Sequence, residues 1–183
     1  MFYSIEQAIQ TYFSENLLGK RIAIQGAGSV GKRLAEYLAS SGAHVFISDI
    51  DRSKLSNIDN HNITCVEDAF SIECDLFSPC AVGAIFTKDS INNLKCKIIA
   101  GGANNQLIDA SIAENLLEKN IVFIPDTLIN SGGVIGLTKD YLKRDDAQTE
   151  QALRDIASRV KALMIESKDK SISIYQALNN RSL

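Results

Sequence analysis

Only two histidines occur in the 183 residues, and the four cysteines form no C-x-x-C pair. Cys65, Cys74, Cys80 and Cys96 are scattered, and with His44 and His61 they give no metal-ligand spacing, so no metal site is expected. They read as reduced, mostly buried thiols of a cytoplasmic protein. The net charge is −3 and no dense basic cluster is present, which argues against a nucleic-acid surface. No apolar run approaches a membrane span, and Met1-Phe2-Tyr3-Ser4 lacks the charged start of a secretory signal. A cytoplasmic location, with no membrane partner, is therefore expected. Internal repeats, low-complexity tracts and linkers are also missing. The length fits one domain over 1–183, with a leading helix over 1–18, a core over 19–137 and a helical extension over 138–183. The 45% hydrophobic and 22% charged fractions are those of a soluble globular protein.

What is present is concentrated first in residues 21–51, RIAIQGAGSVGKRLAEYLASSGAHVFISDID. Ile22, Ala23 and Ile24 form a short apolar run, and Gly26-Ala27-Gly28-Ser29-Val30-Gly31 follows directly. Val30, Leu34, Ala35 and Leu38 recur at helical spacing until Ser41-Gly42, and a second β-rich run, 44–48, ends at Asp49. The reading is strand, glycine turn, helix, strand, acid, the context that gives a G-x-G-x-x-G its meaning as a dinucleotide fingerprint. Gly26 permits the tight turn, Gly28 lets backbone approach a pyrophosphate, and Gly31 lets the helix pack on the strand. The free N–H groups opening that helix form an anion site. Asp49 lies 18 residues after Gly31, where a carboxylate can accept from both ribose hydroxyls and repel a 2′-phosphate. NAD is thus expected over NADP, a preference that Arg52 weakens without reversing.

Strand and helix patterns alternate through the rest of the core. A first helix is expected to be capped by Ser4 and stopped by Gly19. Further strands are expected over 63–66, 74–78, 97–100 and 121–124, and helices over 87–94 and 109–117. Beyond Leu128 helices are expected around Val134, Ile135, Leu137 and Leu142, then over 149–167 and 171–179. Short, β-branched, apolar strands alternating with helices predict a doubly wound, mainly parallel Rossmann-type α/β sheet with helices on both faces. In such sheets ligands bind at the carboxyl ends of the strands, where GAGSVG, SPCAVG, GGANN and PDTLINSGG all fall.

Five ordered segments, GKRIAIQGAGSVG, FISDID, DLFSPCAVGAIF, KIIAGGANNQL and IPDTLINSGGVIGL, together resemble the cofactor domain of the glutamate/leucine/phenylalanine/valine dehydrogenases. The leucine and phenylalanine members are the most similar. The resemblance implies that Gly26, Gly28, Ser29, Val30 and Gly31 hold the pyrophosphate of NAD and Asp49 its adenosine ribose. It implies that Ile50 lies against the adenine, that Cys80 and Ala81 line the middle of the cofactor, and that Asn104 contacts the nicotinamide end. Asn130 would face the substrate cleft. Each has a plainer alternative: Asn104 and Asn130 as caps of loop backbone, Cys80 as a core thiol.

Family enzymes also carry an N-terminal domain with a glycine-rich lysine segment, a second lysine and an aspartate, and a threonine-bearing segment leading into the cofactor domain. The sequence contains no counterpart of these, so no catalytic residue is assigned and activity by this chain alone is not expected. Three functions stay open. The chain is the NAD half of an amino-acid dehydrogenase completed by a partner chain; or a stand-alone NAD-binding regulatory module; or a small oxidoreductase for another substrate. A homo-oligomer is compatible with each.

Overall fold

The computed structural model describes residues 1–130, 135 and 144–181. Six strands, β1 (Arg21–Gln25), β2 (His44–Ser48), β3 (Ile63–Cys65), β4 (Leu76–Pro79), β5 (Ile98–Ile99) and β6 (Val122–Phe123), form one sheet in the order β3-β2-β1-β4-β5-β6. Every neighbouring pair is parallel. The chain winds outward from β1 to β3, then crosses back to β4 on the other side of β1. The order therefore reverses between β1 and β4, and that is where a doubly wound sheet opens a crevice at its carboxyl edge.

Side chains alternate across the sheet with period two. Ile22 and Ile24 of β1, Val45 and Ile47 of β2, Leu76 of β4 and Ile98 of β5 face one core. Ala23, Phe77, Ile99 and Phe123 face the other. The first core is covered by helices α1 (Phe2–Phe13) and α2 (Ser29–Ser40), together with α5 (Asp146–Lys170) and α6 (Ile174–Asn179). The second is covered by α3 (Ser111–Glu118) and by 3-10 turns at Ala69–Ser71 and Ser90–Asn92. Here aromatic rings do much of the covering: Phe70 lies 4.6 Å from Phe77 between centroids, and Phe86 lies 6.1 Å from Phe77 and 6.3 Å from Phe123. A short helix α4 (Asp126–Ile129) follows β6.

The doubly wound parallel sheet agrees with the sequence reading; several helix ends do not. Ser4 is buried inside α1 and is not its cap, and the helix ends at Ser14 in the left-handed region, well before Gly19. The helix expected over 87–94 is only the turn Ser90–Asn92. Thr87 and Ser90 do exchange hydrogen bonds with each other's backbone N–H (3.1 and 2.9 Å), as at a helix start. The Ser90 hydroxyl then turns back to the carbonyl of Ile85 (2.8 Å), and Asn92-Asn93 follow, residues whose amides compete with helical backbone bonds. Conversely, α5 begins at Asp146, three residues before the expected start at Thr149, because Asp145 and Gln148 form a reciprocal capping box. Gly132, Gly133, Val134, Leu137 and Leu142, expected to be helical or to flank a helix, lie outside the described residues.

Candidate functional site

The loops after β1, β4 and β5 and the helix α4 meet at the carboxyl edge of the sheet. Gly26 leaves β1 with φ +103°, and its N–H donates to the carbonyl of Ser48 at 2.7 Å. A Cβ there would stand 2.8 Å from the Ala81 nitrogen, and one on Gly31 would stand 1.9 Å from the Gly26 oxygen. Both glycines are thus required by the protein's own packing. Gly28 differs: it caps α2 in extended conformation (φ −70°, ψ −173°), and nothing lies within 4 Å of where its Cβ would be. No side chain caps α2, whose first turn carries N–H groups without intrahelical acceptors, and Ser29 and Val30 beside it are exposed.

Asp49 is brought to this turn from the end of β2. Its Oδ2 accepts from the N–H of Ala27 at 2.8 Å and its Oδ1 from the N–H of Asp51 at 2.9 Å, while Lys54 Nζ stands 3.3 Å away. Its side chain is only 6% exposed. Burial pushes the carboxyl up, but the two backbone N–H groups and Lys54 outweigh it and hold Asp49 below the usual carboxylate value. Lys54, not Arg52, is the cation at this carboxylate, because Arg52 is paired with Glu67 across the turn. Ile50 is fully exposed beside Asp49.

On the other side of the crevice, Cys80 follows β4 with its N–H on the Gln25 carbonyl (2.7 Å) and its thiol 3.4 Å from the Ser78 hydroxyl. Burial pushes that thiol up. Ala81 is exposed. Asn104 and Asn130 meet directly: Asn130 Nδ2 donates to Asn104 Oδ1 and to the Gly102 carbonyl, both at 3.0 Å. Asp126 Oδ2 accepts from the Asn105 N–H at 3.0 Å, and the Ala84 N–H donates to the Asn105 carbonyl. A groove of about 550 Å³ runs past Val30, Arg33, Tyr37, Gly102, Asn104 and Asn130.

The edge therefore gathers Gly26 through Gly31, Asp49, Cys80 and Ala81 at the glycine turn and pairs Asn104 with Asn130 further along. Ile50 is not packed against them. Sequence reasoning missed Lys54 and above all Gln106. Gln106 is fully buried, with Nε2 donating to the carbonyls of Gly101 (2.9 Å) and Ala103 (2.8 Å). Its only sequence signal was an amide placed directly after a glycine-rich turn.

A 3-2-1-4-5-6 parallel sheet with a glycine turn at its reversal point defines a Rossmann-like α/β protein. The family model for Glutamate/Leucine/Phenylalanine/Valine dehydrogenase matches residues 45–180, and the chain belongs to that family. It is 33% identical over 173 residues to a leucine dehydrogenase of Thermoactinomyces intermedius, covering 93% of this chain and 47% of that protein. It is 40% identical over 190 residues to a phenylalanine dehydrogenase of Lysinibacillus sphaericus, covering 99% of this chain and 50% of the relative. The crystal structure of L-tryptophan dehydrogenase from Nostoc punctiforme superposes with a TM-score of 0.92 at 30% identity, over 98% of this chain and 55% of the other. The chain spans about half the length of the curated relatives it matches. Among the described residues, no helix is long and apolar enough to cross a membrane.

Proposed function

We propose that this chain is the NAD(H)-binding part of an amino-acid dehydrogenase-like oxidoreductase. Completed by a catalytic domain or a partner chain, it would serve oxidative deamination of an apolar L-amino acid. The observation that carries this reading is the contrast at the glycine turn: Gly26 and Gly31 are closed in by protein atoms, whereas Gly28 faces open space at an uncapped helix N-terminus. A position with allowed dihedrals and nothing beside it has no internal need of glycine, but a pyrophosphate approaching the backbone supplies one.

The residues fit the cofactor. Gly26 through Gly31 would hold the pyrophosphate on backbone N–H groups, and Asp49 would accept from the adenosine ribose through lone pairs that Ala27 and Asp51 leave free. Ile50 would offer an apolar surface to the adenine, and Cys80 and Ala81 would line the middle. Asn104 would reach the nicotinamide end with its Nδ2, and Asn130 would present its Oδ1 to the cleft, each having spent its other amide atom on the pair. When bound, NAD supplies a hydride acceptor. This chain's residues bind and orient it. Water exclusion and proton handling fall to the completing domain, since oxidative deamination needs a positioned base in a closed cleft.

The same site also serves a second reading, a stand-alone NAD-binding regulatory module. Among the described residues lining the groove by Asn104 and Asn130, Arg33 is the only charged side chain. Both readings require NAD binding. Calorimetric titration of the chain with NAD and with NADP, repeated on Asp49→Ala after checking its melting, tests it: the expected result is NAD binding preferred over NADP and weakened by the substitution. No binding of either nucleotide would overturn both readings. Formation of NADH by the pure chain with leucine or phenylalanine would overturn the regulatory module and the need for a partner.

A further inference from the structure

Three consecutive carbonyls in the turn after β5 are all held by side-chain amides. Gln106 Nε2 takes Gly101 and Ala103, and Asn130 Nδ2 takes Gly102 between them. The Ala103 N–H is fixed in turn on the Pro79 carbonyl at 2.9 Å, which ties this turn to the loop after β4. A glycine-rich turn has few side chains of its own to restrain it, and its backbone groups face a crevice rather than a strand partner. Two of the three carbonyls are held from below, by Gln106, which is fully buried and cannot itself reach a ligand at the edge.

We infer that Gln106 is a positioning residue for the nicotinamide end of the site. It sets the carbonyls of Gly101 and Ala103 so that Asn104, the next residue, stands where Asn130 meets it. The inference rests on the cofactor reading above and adds a separable claim. Gln106 acts on the half of the site beyond the pyrophosphate, and leaves the adenosine half unchanged. The geometry makes that separation concrete. Asp49 and the glycine turn are held by Ser48, Ala27 and Asp51 backbone groups, none of which Gln106 touches. The other amide atom, Gln106 Oε1, is buried without a partner among the described residues. What an amide provides here that an apolar side chain of similar length lacks is therefore the two Nε2 bonds.

The test uses the full chain with Gln106→Met, which keeps length and removes the donor, and Gln106→Glu, which donates only when protonated. NAD and ADP are titrated into each, ADP carrying the adenosine and phosphates but no nicotinamide. The expected result for Gln106→Met is NAD affinity lower by about tenfold, the scale of one lost hydrogen bond, with ADP affinity within about twofold of the parent. Gln106→Glu should bind NAD more tightly as pH falls and its carboxyl gains the donor proton, with ADP following the parent's pH profile. Equal losses for NAD and ADP, or no loss for either, would overturn the positioning role, and so would a Gln106→Glu whose NAD and ADP profiles stay parallel across pH. If Gln106→Met fails to fold, the pH profile of Gln106→Glu decides alone. Failure of the parent chain to bind ADP or NAD would overturn the cofactor reading itself, a result distinct from a Gln106 effect.

Discussion

On the β1–β2 side of the crevice, the glycine turn is shaped by backbone: Gly26 on the Ser48 carbonyl, Gly31 pressed on the Gly26 oxygen, and one carboxylate, Asp49, fastened to the Ala27 N–H. On the β4–β5 side, the turn over 101–105 is shaped by amide side chains arriving from elsewhere, Gln106 from the chain just beyond and Asn130 from the end of α4. The first side is built from backbone contacts, two of them across 22 positions, and needs particular glycines. The second depends on side-chain bonds that span 3, 5 and 28 positions, and tolerates or fails with particular side chains. The same edge thus has a half that resists change by sterics and a half held by a few separable hydrogen bonds.

Breaking the steric half should cost most. Gly31→Ala places a methyl 1.9 Å from the Gly26 oxygen, and is expected to lower stability by about 3 kcal/mol or more, or to prevent folding, read by urea unfolding. On the amide side, Asn130→Leu leaves the Gly102 carbonyl and Asn104 Oδ1 without that donor, for an expected loss of about 1–3 kcal/mol in the same assay. A melt showing Asn130→Leu more damaging than Gly31→Ala would reverse the comparison.

Acid should separate the two halves without any substitution. Asp49 is held below its usual value in the folded chain, so it contributes stability that is fully present above its unfolded value, about 3.9, and is lost as pH falls through the lower folded value. In an NMR pH titration, the amide of Ala27 is expected to shift with a midpoint below that of a free aspartate, while the amide of Ala103, held on a carbonyl, stays in place. Equal movement of both amides would show that the halves are not independent. The smallest effect concerns the thiols. Burial pushes Cys74 and Cys96 up to about 12 and raises Cys80, whereas Cys65 is exposed, so alkylation near pH 8 should mark Cys65 first and leave the others slow.

The same contrast governs what the sequence made legible. The turn around Gly26, Gly28 and Gly31, the strand before it and the acid after it follow from local pattern, and at Gly26 and Gly31 backbone geometry dictates the residue type. The family match and the parallel sheet agree with the family and fold read from the sequence. Gln106 and Lys54 were not legible, since an amide or lysine in a loop has many possible partners and only the fold selects one. Asn104 and Asn130 were read from the sequence one at a time, and their mutual contact was not foreseen. Helix ends were misjudged where side-chain bonds outweighed apolar spacing: Ser90 turned back to Ile85 and cut short the segment over 87–94, while Asp145 and Gln148 extended α5.

The central claim is that Gly28 is glycine for a ligand and not for the fold. Gly28→Asp tests it most directly, by paired thermal melts and NAD titrations on the full chain. An aspartate there has open space and allowed dihedrals, and its carboxylate would cap α2, so stability should be unchanged or rise by about 0.5–1 kcal/mol. The same carboxylate would occupy and repel the pyrophosphate position, so NAD binding should disappear. A variant that is destabilised, or that binds NAD as the parent does, would contradict the account.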